Sequence, residues 1–121
     1  MSEVRLKRAY DSPAAADGTR ILVDRLWPRG VKQSDAKIAL WLKDVGPSTE
    51  LRRWFAHDPA KWPEFQKRYA AELAHNPAMD ALRAEVRQHG QVTLIFGARD
   101  TEHNNAVVLR DILARPPVAS R

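Results

Sequence analysis

Two polar stretches of this chain hold side chains that could do chemistry together. Asp24-Arg25-Leu26-Trp27-Pro28-Arg29-Gly30 follows directly on the apolar run Ile21-Leu22-Val23. Gly97-Ala98-Arg99-Asp100-Thr101-Glu102-His103-Asn104 follows in the same way on Val92-Thr93-Leu94-Ile95-Phe96. Arginine guanidinium forks match phosphate and carboxylate oxygens, so Arg25, Arg29 and Arg99 are candidates to hold an anion. Asp24 and Asp100 could orient groups, Asn104 could hydrogen-bond a ligand, and Trp27 could wall it in. A helix is expected from about Glu102 to Ala114, which places His103 in its first turn. There the helix dipole disfavours imidazolium, so a neutral ring could act as general base or polariser. The second loop would also present the free N–H groups of a helix start to an anion.

Each residue has a plainer role open to it. Asp24 could pair with Arg25 or Arg29 to hold a turn, and Asp100 or Thr101 could cap the last helix. Gly30 could supply a positive φ. His103 and Asn104 could hydrogen-bond the neighbouring loop and do nothing more.

The chemistry would need elements that bring the two stretches to one place. Val4 to Ala9 alternates weakly, as a strand with one wet face does, and Arg20 to Asp24 reads as a second strand. Ser12 to Gly18 is loop material or a single helical turn. Ser34 to Leu42 starts as a short helix and continues as a strand ending before Gly46-Pro47. Ser48 can cap a helix carrying Leu51, Trp54 and Phe55. Asp58-Pro59 opens the next, with Trp62, Phe65, Tyr69 and Leu73 on one stripe. Asn76-Pro77 opens a third, with Met79, Leu82 and Val86 inward and Gly90 as its stop. Val92 to Phe96 is apolar throughout, as a strand covered on both faces should be. Arg115-Pro116-Pro117 ends the last helix, and residues 115–121 read as a frayed tail.

Strands interleaved with helices give an α/β fold, a small and mostly parallel sheet flanked by helices in a single domain spanning residues 1–121. The connection from Ala9 to Arg20 is short for a crossover helix, so an antiparallel first pair and a mixed sheet stay open. In open α/β sheets ligands bind beyond the carboxyl ends of the strands, where both polar stretches lie.

Composition narrows the alternatives. The chain has 121 residues, 44% of them apolar, and no cysteine, which removes disulfides, thiol catalysis and thiolate metal sites. Twenty Lys and Arg against 15 Asp and Glu give a net charge of +5, a field that attracts phosphates, nucleotides or nucleic acid and equally serves solubility. The charged start MSEVRLKRAY is unlike a signal peptide, and no apolar run approaches the ~20 residues of a membrane span. A cytoplasmic protein is expected, with no membrane partner. His57, His75, His89 and His103 show no HxxxH or HExxH spacing, so no metal and no cofactor are expected. No serine sits in a GxSxG context, and there is no glycine-rich phosphate loop. The aromatic set Trp41, Trp54, Phe55, Trp62, Phe65 and Tyr69 reads as core rather than as a base-stacking surface.

Three ordered blocks carry a resemblance over essentially the whole chain. They are Arg20-x-Leu22-Val23-Asp24-Arg25-Leu26-Trp27-Pro28-Arg29-Gly30, Trp41-Leu42-Lys43-Asp44-x-x-Pro47-Ser48-x-x-Leu51-Arg52-x-Trp54-Phe55-x-His57-Asp58-Pro59, and Val92-Thr93-Leu94-x-x-Gly97-Ala98-x-Asp100-x-x-His103-Asn104. Together they resemble the YeaO-like bacterial proteins, a domain-of-unknown-function family. The resemblance implies a cytosolic bacterial α/β domain and no particular activity. A wider branch of that family carries an Asp-x-Arg-x-x-Pro-like turn and a later Cys…Cys-His-Arg-like loop. Asp24, Arg25, Pro28 and His103 match loosely, while Gly97 and Glu102 stand near the cysteine positions and Asn104 near the arginine.

The expected function is a site for a small phosphorylated or nucleotide-like anion. Arg25, Arg29 and Arg99 would bind it with Trp27 and Asn104; if there is turnover, His103, Asp24 and Asp100 would carry it. The rival is a nucleic-acid-binding, regulatory or interaction module without catalysis, although nothing resembles a helix-turn-helix with a basic recognition helix.

Overall fold

The structure, a computed structural model, describes residues 3–115. Of the expected frayed tail, 116–121 lies outside the described residues. Four strands form one sheet: β1 (Glu3–Arg8), β2 (Thr19–Leu22), β3 (Leu40–Trp41) and β4 (Gln91–Phe96). Five helices accompany them: α1 (Gln33–Ala36), α2 (Thr49–Phe55), α3 (Trp62–Ala74), α4 (Pro77–Gln88) and α5 (Asn105–Ala114).

The strand order is β1-β4-β2-β3, and every pairing is parallel. The mixed alternative is thereby corrected. β1 and β2 are not neighbours, because β4 lies between them and pairs Leu94 with both Leu6 and Ile21. The connection over residues 9–18 needs no full helix, since ten extended residues reach ~33 Å. It makes one 3-10 turn, Ala15–Asp17, and delivers the chain to the amino end of β2. There Gly18, at φ +66, crosses so close to the Gln91 carbonyl that any Cβ would collide with it.

β4 is central and buried from Val92 to Phe96, as its unbroken apolar run requires. One sheet face, with Ile21, Val23, Val92, Leu94 and Phe96, packs against the helical layer through Phe65, Tyr69, Leu82 and Leu109. The other face carries Leu22 and Ile95 and is covered by irregular chain through Trp27, Val31 and Ile38.

The helix starts form where capping side chains stand. Ser48 accepts from the Leu51 N–H, Asp58 from Ala60 and Asn76 from Ala78. The 34–42 segment divides as expected, although its strand keeps only Leu40 and Trp41. The last helix starts later than expected, at Asn105 with Asn104 as its cap. No helix among the described residues is long and apolar enough to cross a membrane.

Candidate functional site

Adjacent strands β2 and β4 send their outgoing connections to opposite faces of the sheet. After β2 the chain turns to the irregular face, where Trp27 and Val31 pack; after β4 it enters α5 on the helical face. Such a divergence opens a crevice beyond the carboxyl ends of two parallel strands. A cleft of about 450 Å³ occupies that place.

Asp24 forms its floor. Its Oδ2 accepts from the Gly97 N–H at 2.8 Å, across 73 residues of sequence. Gly97 suits this approach, because a Cβ there would stand 3.2 Å from the same oxygen. Asn105, the first residue of α5, donates to the Val23 carbonyl at 3.1 Å and lies against the Asp24 carboxylate. Trp41 Nε1 donates to the Asp24 carbonyl at 2.7 Å. The two loops therefore meet, and their contacts run through Gly97 and Asn105 rather than through Asp100, His103 or Asn104. Asp24 forms no salt bridge among the described residues, so neither Arg25 nor Arg29 neutralises it. Burial pushes its carboxyl above the ordinary 3.8, against the opposing pull of the Gly97 N–H, Asn105, Arg52 and His57.

The arginines divide by what already holds them. Arg25 lines the cleft, but its Nε donates to the Pro47 carbonyl at 2.8 Å and its Nη1 lies 3.8 Å from Asp44. Gly46 permits this packing, since a Cβ would come within 3.0 Å of Arg25. Arg29 is exposed at the rim; its carbonyl accepts from the Tyr10 hydroxyl at 2.9 Å, and its guanidinium has no ion pair among the described residues. Arg99 is exposed and outside the lining.

Two further arginines reach the cleft from α2, Arg52 and Arg53. Arg52 Nη2 touches Thr49 Oγ1 at 3.4 Å, while its Nε is buried without a hydrogen-bond partner. α2 ends at Ala56 with φ 47, and His57 follows with φ 58. Each left-handed residue without a glycine costs about 1 kcal/mol. This turn brings His57 to the cleft, beside Phe55, which stacks on Phe65 at 4.3 Å to form an apolar wall.

His103 lies on the lining, before the cap of α5 rather than in its first turn. Asp100 Oδ1 accepts from the N–H groups of Glu102 and His103, and its Oδ2 holds His103 Nδ1 at 2.8 Å. The Glu102 N–H, followed by the His103 ring, holds the Asp100 carboxyl below its ordinary value. Trp62 meets the same ring edge-on at 5.3 Å. Asp100 thus reaches the cleft only through His103. Asn104 is buried and already committed: Oδ1 caps Val107, and Nδ2 donates to the Asp100 carbonyl. Trp27 forms part of the wall, with Nε1 donating to Val31 and its ring edge-on to Trp41 at 5.4 Å.

The structure thus gathers Asp24, Arg25, Trp27, Arg29, His103 and Asn104 on one cleft and leaves Arg99 and Asp100 off its lining. Reading loops alone misses Arg52, Arg53, His57 and Asn105. Two of them, Arg52 and His57, lie in the ordered block from Leu51 to Pro59, where only Asp58 has a capping role. Among the described residues, no three side chains of metal-binding type gather at one point.

A family model described as the inactive DUF488-N3 subclade matches residues 3–119. This chain belongs to that subclade. Among its relatives is the uncharacterized protein YeaO of Escherichia coli K12, 41% identical over 110 residues, 91% of this chain and 96% of that one. The uncharacterized protein Rv3073c of Mycobacterium tuberculosis H37Rv is 38% identical over 112 residues, 93% and 94% of the two chains. The uncharacterized protein Mb3100c of Mycobacterium bovis matches to the same extent. No solved structure matches this DUF488-N3 chain.

Proposed function

We propose that this protein binds a small phosphorylated or nucleotide-like anion in the cleft beyond β2 and β4. The observation that carries the reading is an imbalance of charge. Arg25, Arg29, Arg52 and Arg53 line the cleft with His57 and His103, against the single carboxylate of Asp24. Concave walls of low dielectric focus such a field and favour an anion.

Within this reading Arg52, Arg53 and Arg29 hold the anion, because Arg25 is already bound to Pro47. His103, oriented by Asp100, offers a hydrogen bond from the opposite side. Phe55 and Trp27 supply apolar wall for the rest of the ligand. The family's description as inactive supports binding rather than turnover, so His103, Asp24 and Asp100 act here as recognition groups.

A thermal-shift screen tests the reading. The panel is inorganic phosphate, sugar phosphates, nucleoside monophosphates and short single- and double-stranded DNA. A small anion should raise the melting temperature in a saturable way, by RT ln(1 + [L]/Kd) in free energy. No shift with any small anion, or a shift with DNA alone, would overturn it in favour of the nucleic-acid or interaction module.

A further inference from the structure

One feature of the cleft does not serve an anion. An arginine-lined pocket built only for negative charge would have no reason to place a carboxylate on its floor. Asp24 is there, hydrogen-bonded only to neutral groups, the Gly97 N–H at 2.8 Å and the Asn105 carboxamide, with Arg52 and His57 acting on it at longer range. It has no salt bridge among the described residues, although Arg25, Arg52 and Arg53 line the same space. Arg25 turns away to Pro47 and Asp44, and Arg52 keeps a buried Nε without a partner. Asp24 and three arginines, Arg29, Arg52 and Arg53, therefore face one small volume, none of them in an ion pair among the described residues.

We infer that the cleft recognises an amino-substituted anion, with the anionic group held by Arg52 and Arg53 and the ammonium by Asp24. The inference rests on the anion-binding reading above and specifies its ligand class. A partly buried carboxylate without an ion pair is electrostatically unfavourable, and a bound ammonium offsets that cost while the arginines take the anionic end. A ligand with an anion alone would pass close to Asp24 and be repelled by it. A ligand with an ammonium alone would meet the arginines. The two polarities select for both groups on one molecule, and the arginine excess sets its net charge negative. Phe55 and Phe65 then cover the carbon chain between the groups.

The test is calorimetric titration of the intact protein and the Asp24→Asn variant with two probes, O-phosphoethanolamine and ethyl phosphate. They share a phosphate ester on a two-carbon chain and differ in the ammonium. Asparagine keeps an oxygen for the Gly97 N–H, so the variant retains the loop contact; its urea unfolding curve checks the fold. The expected result is binding of O-phosphoethanolamine at least ~10-fold tighter than ethyl phosphate in the wild type, with the preference lost in the variant. Equal affinity for both probes in the wild type would overturn the ammonium assignment and leave the anion site standing. A preference that survives Asp24→Asn would overturn the role of Asp24. Binding of neither probe would overturn this inference and count against the anion reading beneath it.

Discussion

Asp17, in the turn before β2, holds Lys7 Nζ at 3.1 Å and Arg20 Nη1 at 2.6 Å, and also accepts from the Ala14 N–H. Asp24, in the turn after β2, meets an amide N–H and a carboxamide, while Arg25 turns to Pro47 and Arg52 and His57 act on it only at longer range. The same strand thus begins at a closed charge cluster and ends at an open one. In the first, burial would raise the carboxyl, but the Ala14 N–H, Lys7 and Arg20 outweigh it and hold Asp17 below its ordinary value. In the second, burial prevails. Arg20 also donates from Nε to the Ala36 carbonyl, although its Nη2 is buried without a partner. A cluster that satisfies itself serves the fold. One that leaves opposite charges apart, across a cleft, has capacity for something else.

The largest expected effect is on the closed cluster. Asp17→Ala leaves Arg20 and Lys7 charged and unpaired in a mostly buried site, a loss of about 3–5 kcal/mol. Urea unfolding at neutral pH measures it, and a loss under ~1 kcal/mol would erase the distinction between the two turns. Asp24→Asn keeps an acceptor for Gly97 and should change stability by no more than about 1 kcal/mol.

The acid range sharpens the contrast, because the two carboxyls are shifted in opposite directions from 3.8. Asp17, lowered in the folded state, contributes stability that is fully present above pH 3.8 and is lost as pH falls through its folded value. Asp24, raised, contributes stability that is fully present below pH 3.8 and is lost as pH rises through its folded value. The stability difference between wild type and Asp17→Asn should therefore grow as pH rises through the acid range. The difference between wild type and Asp24→Asn should move the opposite way. Unfolding curves at several acid pH values read both slopes, and slopes of the same sign would contradict the contrast.

A smaller effect concerns the rim of the open site. Ala56 caps α2 in the left-handed region at φ 47, where glycine fits without strain. Ala56→Gly should stabilise the protein by about 0.5–1 kcal/mol, measured by the same unfolding curves. A destabilised variant would mean that the turn presenting His57 is held by something other than this backbone geometry.

Much of the fold was legible in the chain. The apolar runs of β2 and β4 show where two strands end in polar loops, and Ser48, Asp58 and Asn76 announce three helical starts. The start of α5 was misread because Asp100, Thr101 and Asn104 can all cap. Asp100 spends its carboxylate on a local turn and on His103, leaving the cap to Asn104. Strand order was not legible, since nothing between Ala9 and Thr19 shows that a strand eighty residues later will insert between β1 and β2. Two of the site's loops could be named from the sequence, because apolar strands ending in charge are unusual. Arg52 and Arg53 could not: a cation on a helix has the signature of a solvated face until the tertiary structure places it on a cleft.

The most direct test of the account compares two arginines, one on the cleft and one off it. Calorimetric titration with a phosphate monoester should show binding to the wild type, at least ~10-fold weaker binding to Arg52→Ala, and unchanged binding to Arg99→Ala, because only Arg52 lines the cleft. Equal weakening in both variants would mean that net charge alone attracts the anion, and an unweakened Arg52→Ala would place the anion outside the β2–β4 cleft.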